Sequence, residues 1–185
     1  MFVAAALVLY GVEAALPSPF PFLRLGLANI ATLVVLLTMG VADAVIVTVL
    51  RVTIASVIVG TFAGPGYALA MAGGLSAALA MGAFSHLSPP LGVVGLSLIG
   101  AACHNLTQLG VVAGLYTGPS GAAVLLPMAL VVSAGAGLAT GLVAFFVLEK
   151  LPFPRENGAS RARLVGAAAS GGRPPLGDSA AGDTE

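Results

Sequence analysis

The stretch ADAVIVTVLRVTIASVIVG, residues 42–60, decides the fold because it is rich in Val, Ile and Ala and carries only two charged residues, Asp43 and Arg51. As a helix it is about 28 Å long at about 1.5 Å per residue, close to the roughly 30 Å hydrocarbon core of a bilayer. The turn sequence Gly64-Pro65-Gly66 follows shortly after it. A run of this length and composition predicts a membrane-spanning helix.

The charged residues of the whole chain are distributed as in a membrane protein. The 185 residues include 7 Lys+Arg and 7 Asp+Glu, but only Glu13, Arg24, Asp43 and Arg51 precede residue 149. The charged fraction is 8%, whereas soluble domains average about 25%. A soluble domain of this composition would expose a continuous apolar surface. The composition therefore excludes a soluble enzyme and a nucleic-acid-binding protein, and the single Cys103 excludes a secreted disulfide scaffold.

Breaks rich in proline and glycine divide the apolar part into six predicted spans. The spans cover about residues 1–16, 25–39, 42–60, 67–84, 92–116 and 122–148. The short connections make neighbouring helices antiparallel. The second span is short and could be re-entrant instead. The first is also short, so either it ends at the surface without charged flanks or, as we expect, the natural chain begins upstream of Met1.

The sequence therefore predicts an all-α polytopic membrane protein. Residues 1–150 form its transmembrane domain, and residues 151–185 form a polar, disordered tail. Lys150, Arg155, Arg161 and Arg163 follow the last span, and positive charge stays on the cytoplasmic side. With six spans, both termini are expected in the cytoplasm, and the connections around 17–24, 64–66 and 117–121 are expected outside.

Small residues recur on the helix faces. Five of them follow each other at every fourth position of the fourth span, and Gly137 and Gly141 do so in the sixth. The five are Gly66, Ala70, Gly74, Ala78 and Gly82. Such faces let helices approach closely in lipid. They predict either a tightly packed bundle or a surface that docks a separate membrane subunit, and the sequence does not separate the two.

Polar residues inside or beside the spans are the candidate substrate-binding residues, because a charged side chain at the centre of a bilayer costs on the order of 2.5–3.5 kcal/mol. His104 and Gln108 share one helix face, with Asn105 one step around it. We expect these groups to line a ligand cavity towards the outer side. The full set is Glu13, Arg24, Asn29, Arg51, His104, Asn105 and Gln108.

Structural roles are the alternative for each of these residues. Glu13 could pair with Arg24 as a clamp on the first loop, and Asp43 suits the first turn of a helix. Arg51 could pair with Asp43 or satisfy backbone carbonyls. The three polar residues of the fifth span could hydrogen-bond neighbouring helices and hold them together.

Motifs for catalysis or cofactor binding are missing from the sequence. It has no D-D-x-x-D diphosphate–magnesium motif and no G-x-x-x-x-G-K-[ST] phosphate loop. Its two histidines, His86 and His104, lie far apart in the chain and do not form a metal-binding set. We therefore predict no catalytic residue, no metal and no cofactor, and the chain itself cannot be an ATPase of the phosphate-loop type.

Several stretches of the chain resemble the Gx transporter family, which is also labelled heptaprenyl diphosphate synthase component I. The resemblance covers about residues 8–148 and rests on Glu13-Ala-Ala-Leu-Pro17, Arg24-Leu-Gly-Leu-Ala-Asn29, Arg51, Met71-Ala-Gly-Gly-Leu-Ser76 and Gly100-Ala-Ala-Cys-His-Asn-Leu-Thr-Gln-Leu109. That family is grouped with the S-components of energy-coupling factor transporters. The resemblance implies a six-helix S-component-like bundle in the bacterial cytoplasmic (inner) membrane, with substrate held near the outer face. It also implies an energy-coupling transmembrane subunit with ATPases as partner.

Three functions follow as hypotheses. The first is a membrane substrate-binding or transport protein of S-component type. The second is a noncatalytic membrane subunit of polyprenyl diphosphate (heptaprenyl diphosphate) or quinone biosynthesis, and the third is a purely structural membrane subunit. Because Arg24 and Arg51 outnumber Glu13 in the outer and middle zone, the expected small-molecule substrate is anionic with an apolar body.

Overall fold

From residue 28 on, the described part of the computed structural model contains five α-helices and one π-helical segment, and the described residues include no strand. The described residues are 3, 4, 6–8, 11, 28–86 and 91–150, and those that precede residue 28 are helical. The helices are α1 (Ala28–Thr38), α2 (Val41–Val59), α3 (Pro65–Ser85), α4 (Val93–Val112) and α5 (Gly118–Lys150), and the π-helical segment Ala113–Thr117 joins α4 to α5.

Three helical stretches of the described chain are long and apolar enough to cross a membrane: α2, α3 and the continuous stretch Val93–Lys150. The last stretch is two antiparallel helices, because α5 folds back along α4. A Cβ atom on Gly141 would lie 2.9 Å from the Cα atom of Val94, and one on Gly137 would lie 2.8 Å from the Cα atom of Leu98. The predicted spans 42–60, 67–84, 92–116 and 122–148 thus correspond to α2, α3, α4 and α5.

The fold is confirmed as all-helical; five helices follow residue 27 in the described part of the chain, and the predicted count of six is not confirmed. Most of the predicted first span, 1–16, lies outside the described residues, as does the predicted tail 151–185. The predicted break at 117–121 is also narrower than expected. Gly118 alone has a positive φ, of 69°, and Pro119 already lies in α5, because proline fits the first turn of a helix.

The predicted second span, 25–39, corresponds to α1, a shorter apolar helix than the three stretches that are long enough to cross a membrane. Helix α1 has 11 residues, about 16 Å at the rise of an α-helix, and Gly40, with a positive φ of 110°, separates it from α2. Residues 30–36 are all buried, so α1 is enclosed by the rest of the bundle. A short helix is tolerated at membrane depth when protein surrounds it.

One end of the bundle is a closely packed apolar core, which we call the packed half. It lies where α3 ends and α4 begins, and Met81, Val93 and Leu96 there are almost completely buried. The end of α5 closes it with Ala144 and Leu148. Large apolar side chains also cover the outside of the bundle: examples are Ile58, Val124 and Val131, each more than 70% exposed. An apolar exterior of this kind fits a lipid environment.

The small-residue faces pack inside this chain. Gly74 and Gly82 of α3 lie against Thr48 and Val41 of α2, whereas Gly66, at the start of the same series, is exposed. Gly137 and Gly141 lie against α4. Close helix packing within the chain therefore accounts for the buried part of both faces.

Candidate functional site

Buried polar side chains from four helices lie at one level of the bundle, and we call them the polar layer. Each of them is less than a tenth exposed, although the outside of the same helices is apolar. The polar layer consists of Thr32 of α1, Thr48 and Arg51 of α2, His104, Asn105 and Gln108 of α4, and Ser133 of α5. It lies between the packed half and the end of the bundle at which α2 connects to α3 and α4 to α5.

Arg51 is the charged member of the polar layer and is 5% exposed. Its guanidinium lies along the backbone of α3: a Cβ atom on Gly74 would lie 3.6 Å from Nη2 of Arg51 and 2.8 Å from Cγ2 of Thr48. The missing side chain at Gly74 therefore provides the room in which α2 approaches α3 with an arginine between them.

Gly73 provides the room in which α4 approaches α3. A Cβ atom on Gly73 would lie 3.0 Å from Cε1 and Nδ1 of His104 and 3.0 Å from Cγ of Gln108. Because Gly73 and Gly74 are consecutive residues of α3, they bring Arg51 from one side and His104 with Gln108 from the other to the same height. The pair of glycines is thus the point on which the candidate site converges.

Two interhelical hydrogen bonds hold the amide side chains. Nδ2 of Asn105 donates to Oγ of Ser133 at 2.9 Å, and Nε2 of Gln108 donates to the carbonyl of Leu69 at 3.4 Å. These bonds tie α4 to α5 and to α3. The alternative role as interhelical connectors therefore applies to both residues, but it uses only the NH₂ end of each amide.

The hydroxyl groups of the polar layer were missed by the sequence analysis. Thr32 and Thr48 lie 3.2 Å apart and link α1 to α2, while Thr48 donates to the carbonyl of Ala44 at 2.8 Å. Hydroxyls that bond the carbonyl four residues earlier are common in apolar helices, so nothing in the sequence distinguished these threonines, or Ser133, from other hydroxyls. The repeated spacing of small residues indicated that Gly74 lies on a closely packed helix face, but it did not indicate that Gly74 lies beside Arg51.

The structure brings four of the seven predicted site residues together: Arg51, His104, Asn105 and Gln108. Asn29 is half-buried in the first turn of α1. The antiparallel pairing that joins Thr32 to Thr48 places Asn29 at the level of Arg51. The other two predicted residues, Glu13 and Arg24, lie outside the described residues. Asp43 lies in the first turn of α2, as the sequence suggested.

The polar layer offers hydrogen-bonding groups of several kinds. In the part of the chain that the structure describes, no three His, Cys, Asp or Glu residues are grouped so that they could hold a metal ion. Arg51 carries a planar set of N–H donors suited to carboxylate or phosphate, and the amides supply further polar atoms. Apolar side chains of the packed half lie on one side of this group.

Comparison with known proteins adds one match. The family model described as "Heptaprenyl diphosphate synthase component I" matches residues 2–147, which include all of the polar layer. No curated protein and no solved structure matches the chain. The family predicted from the short stretches is thereby confirmed, whereas the resemblance to S-components stays a prediction.

Proposed function

We propose that this chain, which belongs to the heptaprenyl diphosphate synthase component I family, is a noncatalytic membrane subunit that binds a small anionic molecule with an apolar body. The observation that carries the proposal is the convergence of Arg51 with His104 and Gln108 on Gly73 and Gly74, inside a bundle with an apolar exterior. The proposed site also includes Asn105, Asn29 and, outside the described residues, Glu13 and Arg24.

Charge supports an anionic ligand. A buried guanidinium interacts with a negative group far more strongly in an apolar interior than it does in water. Asp43 lies eight residues before Arg51 on α2, a distance of about 12 Å along a helix, so the two residues are not in the same helical turn. The acidic Glu13 lies outside the described residues. Arg51 is the charged side chain of the polar layer, and an anionic oxygen of a ligand would add to the interactions that Arg51 already makes within the chain.

The family description supports a role beside a synthase. The description names a diphosphate synthase component, and the sequence lacks the aspartate-rich motif that binds diphosphate through magnesium. We therefore assign the prenyl-transfer chemistry to a partner component and the binding of an amphipathic phosphate to this chain. In this proposal residues 1–150 are the membrane domain, in the bacterial inner membrane with both termini in the cytoplasm.

Transport of the same kind of molecule is the second candidate function. The position of the polar layer supports it, because the layer lies towards the end of the bundle that the charge distribution predicts to be outside. In that case the partner is an energy-coupling transmembrane subunit with ATPases. Gene neighbourhood separates the candidates: a prenyltransferase gene with aspartate-rich motifs supports the first function, and transporter ATPase genes support the second.

Mass spectrometry of small molecules that copurify with the protein tests the binding proposal. We expect an anionic amphiphile with the wild-type protein and much less of it with His104→Ala. The control is Thr140→Val, which removes the hydrogen bond between Ser97 and Thr140 in the packed half and leaves the polar layer intact. Equal amounts in all three preparations would contradict the proposal. If His104→Ala alone fails to fold, His104 is an interhelical connector and not a ligand-binding residue.

A further inference from the structure

We infer that the molecule bound in the polar layer donates at least one hydrogen bond in addition to carrying its negative charge. The inference rests on the proposed function and narrows its ligand class. It comes from two amide oxygens, Oδ1 of Asn105 and Oε1 of Gln108. Both oxygens are buried, and neither has a hydrogen-bond partner among the described residues. The two side chains are 4% and 6% exposed, respectively.

The orientation of the Asn105 amide follows from the proton of Ser133. The hydroxyl of Ser133 donates to the carbonyl of Ala129 at 2.6 Å. Since a serine hydroxyl has one proton, Ser133 can only accept a hydrogen bond from Asn105. The atom of Asn105 that faces Ser133 must therefore be the NH₂ nitrogen, at 2.9 Å. Reversing the amide would place two acceptors against each other, so Oδ1 is the atom that points away.

The orientation of the Gln108 amide follows from a backbone carbonyl. The side chain meets the carbonyl oxygen of Leu69 at 3.4 Å, and a carbonyl oxygen accepts hydrogen bonds only. The NH₂ group of Gln108 must lie on that side, and Oε1 lies on the other. Asn105 and Gln108 are three residues apart on α4 and thus on neighbouring faces of the helix.

These two oxygens extend the chemistry of the site. Arg51 offers only donors, which suit the charged oxygens of a ligand. The amide oxygens are acceptors, and a buried acceptor without a donor is unfavourable in an apolar interior. A ligand that combines an anionic oxygen with an adjacent O–H or N–H matches both sets. Examples of this class are a singly protonated phosphate monoester and a hydroxycarboxylate, in contrast to an anion without a proton to donate.

Two probes that differ in one group test the inference. Monododecyl phosphate at pH 5 is mostly a monoanion with one P–OH, because the second pKa of a phosphate monoester is about 6. O-dodecyl methylphosphonate is a monoanion in which a methyl group replaces that hydroxyl. Binding is measured with the full chain in nanodiscs of zwitterionic lipid. We expect the phosphate to bind about tenfold more tightly, the size of effect that one buried hydrogen bond to an otherwise unsatisfied group produces.

Variants of the two amides locate the effect. Gln108→Met and Asn105→Leu, tested separately, should each lower the preference for the phosphate probe, while Arg51→Met should weaken both probes and leave their ratio unchanged. Equal binding of both probes to the wild-type protein would overturn the inference and leave the proposed function standing. No binding of either probe would count against the proposed function itself. If both amide variants still prefer the phosphate probe over the methylphosphonate probe, the amide oxygens do not have the inferred role. If neither variant folds, the ratio of the two affinities for the wild-type protein decides the inference.

Discussion

Two hydrogen bonds between the same two helices show how the packed half differs from the polar layer. In the packed half, Ser97 and Thr140 lie 2.7 Å apart, and Thr140 donates to the carbonyl of Ala136 at 2.8 Å. Both hydroxyl protons are thus used within the pair and the backbone. In the polar layer, the bond from Asn105 to Ser133 is of similar length, 2.9 Å, but the amide keeps a buried oxygen without a partner among the described residues.

The comparison distinguishes structural connectors from the proposed binding groups. A connector in an apolar bundle needs a small hydroxyl that satisfies itself locally, because every surplus polar atom is unfavourable there. The polar layer instead combines a guanidinium, an imidazole and two amides at one level. Fastening helices together does not require the two buried amide oxygens of Asn105 and Gln108 that lack a partner among the described residues, whereas the proposed ligand would use them.

The glycines differ between the two regions in the same way. In the packed half, Gly137 and Gly141 face backbone atoms of α4, at 2.8 and 2.9 Å from a Cβ position. In the polar layer, Gly73 faces atoms of His104 and Gln108, which are side chains that can move. A methyl group added at Gly137 or Gly141 should therefore push α4 and α5 apart. A methyl group added at Gly73 should instead displace the side chains of His104 and Gln108.

Gly141→Ala should give the largest loss of stability. The added methyl meets the Cα atom of Val94, and overpacking of this kind costs about 1–3 kcal/mol. We expect a clearly lowered midpoint of thermal unfolding in detergent. Gly135→Ala is the control, because nothing lies within 4 Å of its Cβ position. Equal midpoints for the two variants would mean that α4 and α5 do not pack as closely as described.

Arg51→Lys should give the next largest effect, on binding and not on stability. The charge stays, but the planar fork that can contact two oxygens at once is lost. A loss of about 1.4 kcal/mol in binding free energy, or tenfold in Kd, is expected. Monododecyl phosphate is the probe, and Asp43→Asn, in the first turn of α2, is the control. Unchanged affinity of Arg51→Lys for the probe would mean that Arg51 is not a ligand-binding residue.

Gly73→Ala should weaken binding less, by about fivefold, or about 1 kcal/mol. The methyl would sit 3.0 Å from the ring of His104 and from Gln108, so both side chains must shift by a few tenths of an ångström. Thermal unfolding should change little because the atoms that move are side-chain atoms. Affinity for the same probe and the unfolding midpoint are measured together. A large drop in the midpoint with unchanged affinity would make Gly73 a packing residue like Gly141.

The sequence was sufficient for the helices and only partly sufficient for the site. Apolar length and proline–glycine breaks placed α2 to α5 within a few residues, because these signals are local. They did not distinguish α1 from a full span, since a short helix enclosed by protein has the same composition as a piece of a span. The individual polar residues stood out against lipid, but their convergence depends on how Gly73 and Gly74 let α2 and α4 approach α3. That depends on the packing of three helices and is not visible in any one segment.

Labelling of single cysteines tests which side of the membrane the polar layer faces. The cysteine substitutions themselves should change neither stability nor binding. The charged residues after Lys150 predict a cytoplasmic tail. The antiparallel helices then place Ser120, which is exposed at the start of α5, on the outer side, at the polar-layer end. In a background without Cys103, an impermeant reagent added to intact cells should label Ser120→Cys and miss Ser160→Cys. Thr61→Cys, exposed between α2 and α3, should behave like Ser120→Cys. The opposite pattern would place the polar layer towards the cytoplasm, where a partner synthase component can reach it, and would count against transport from outside.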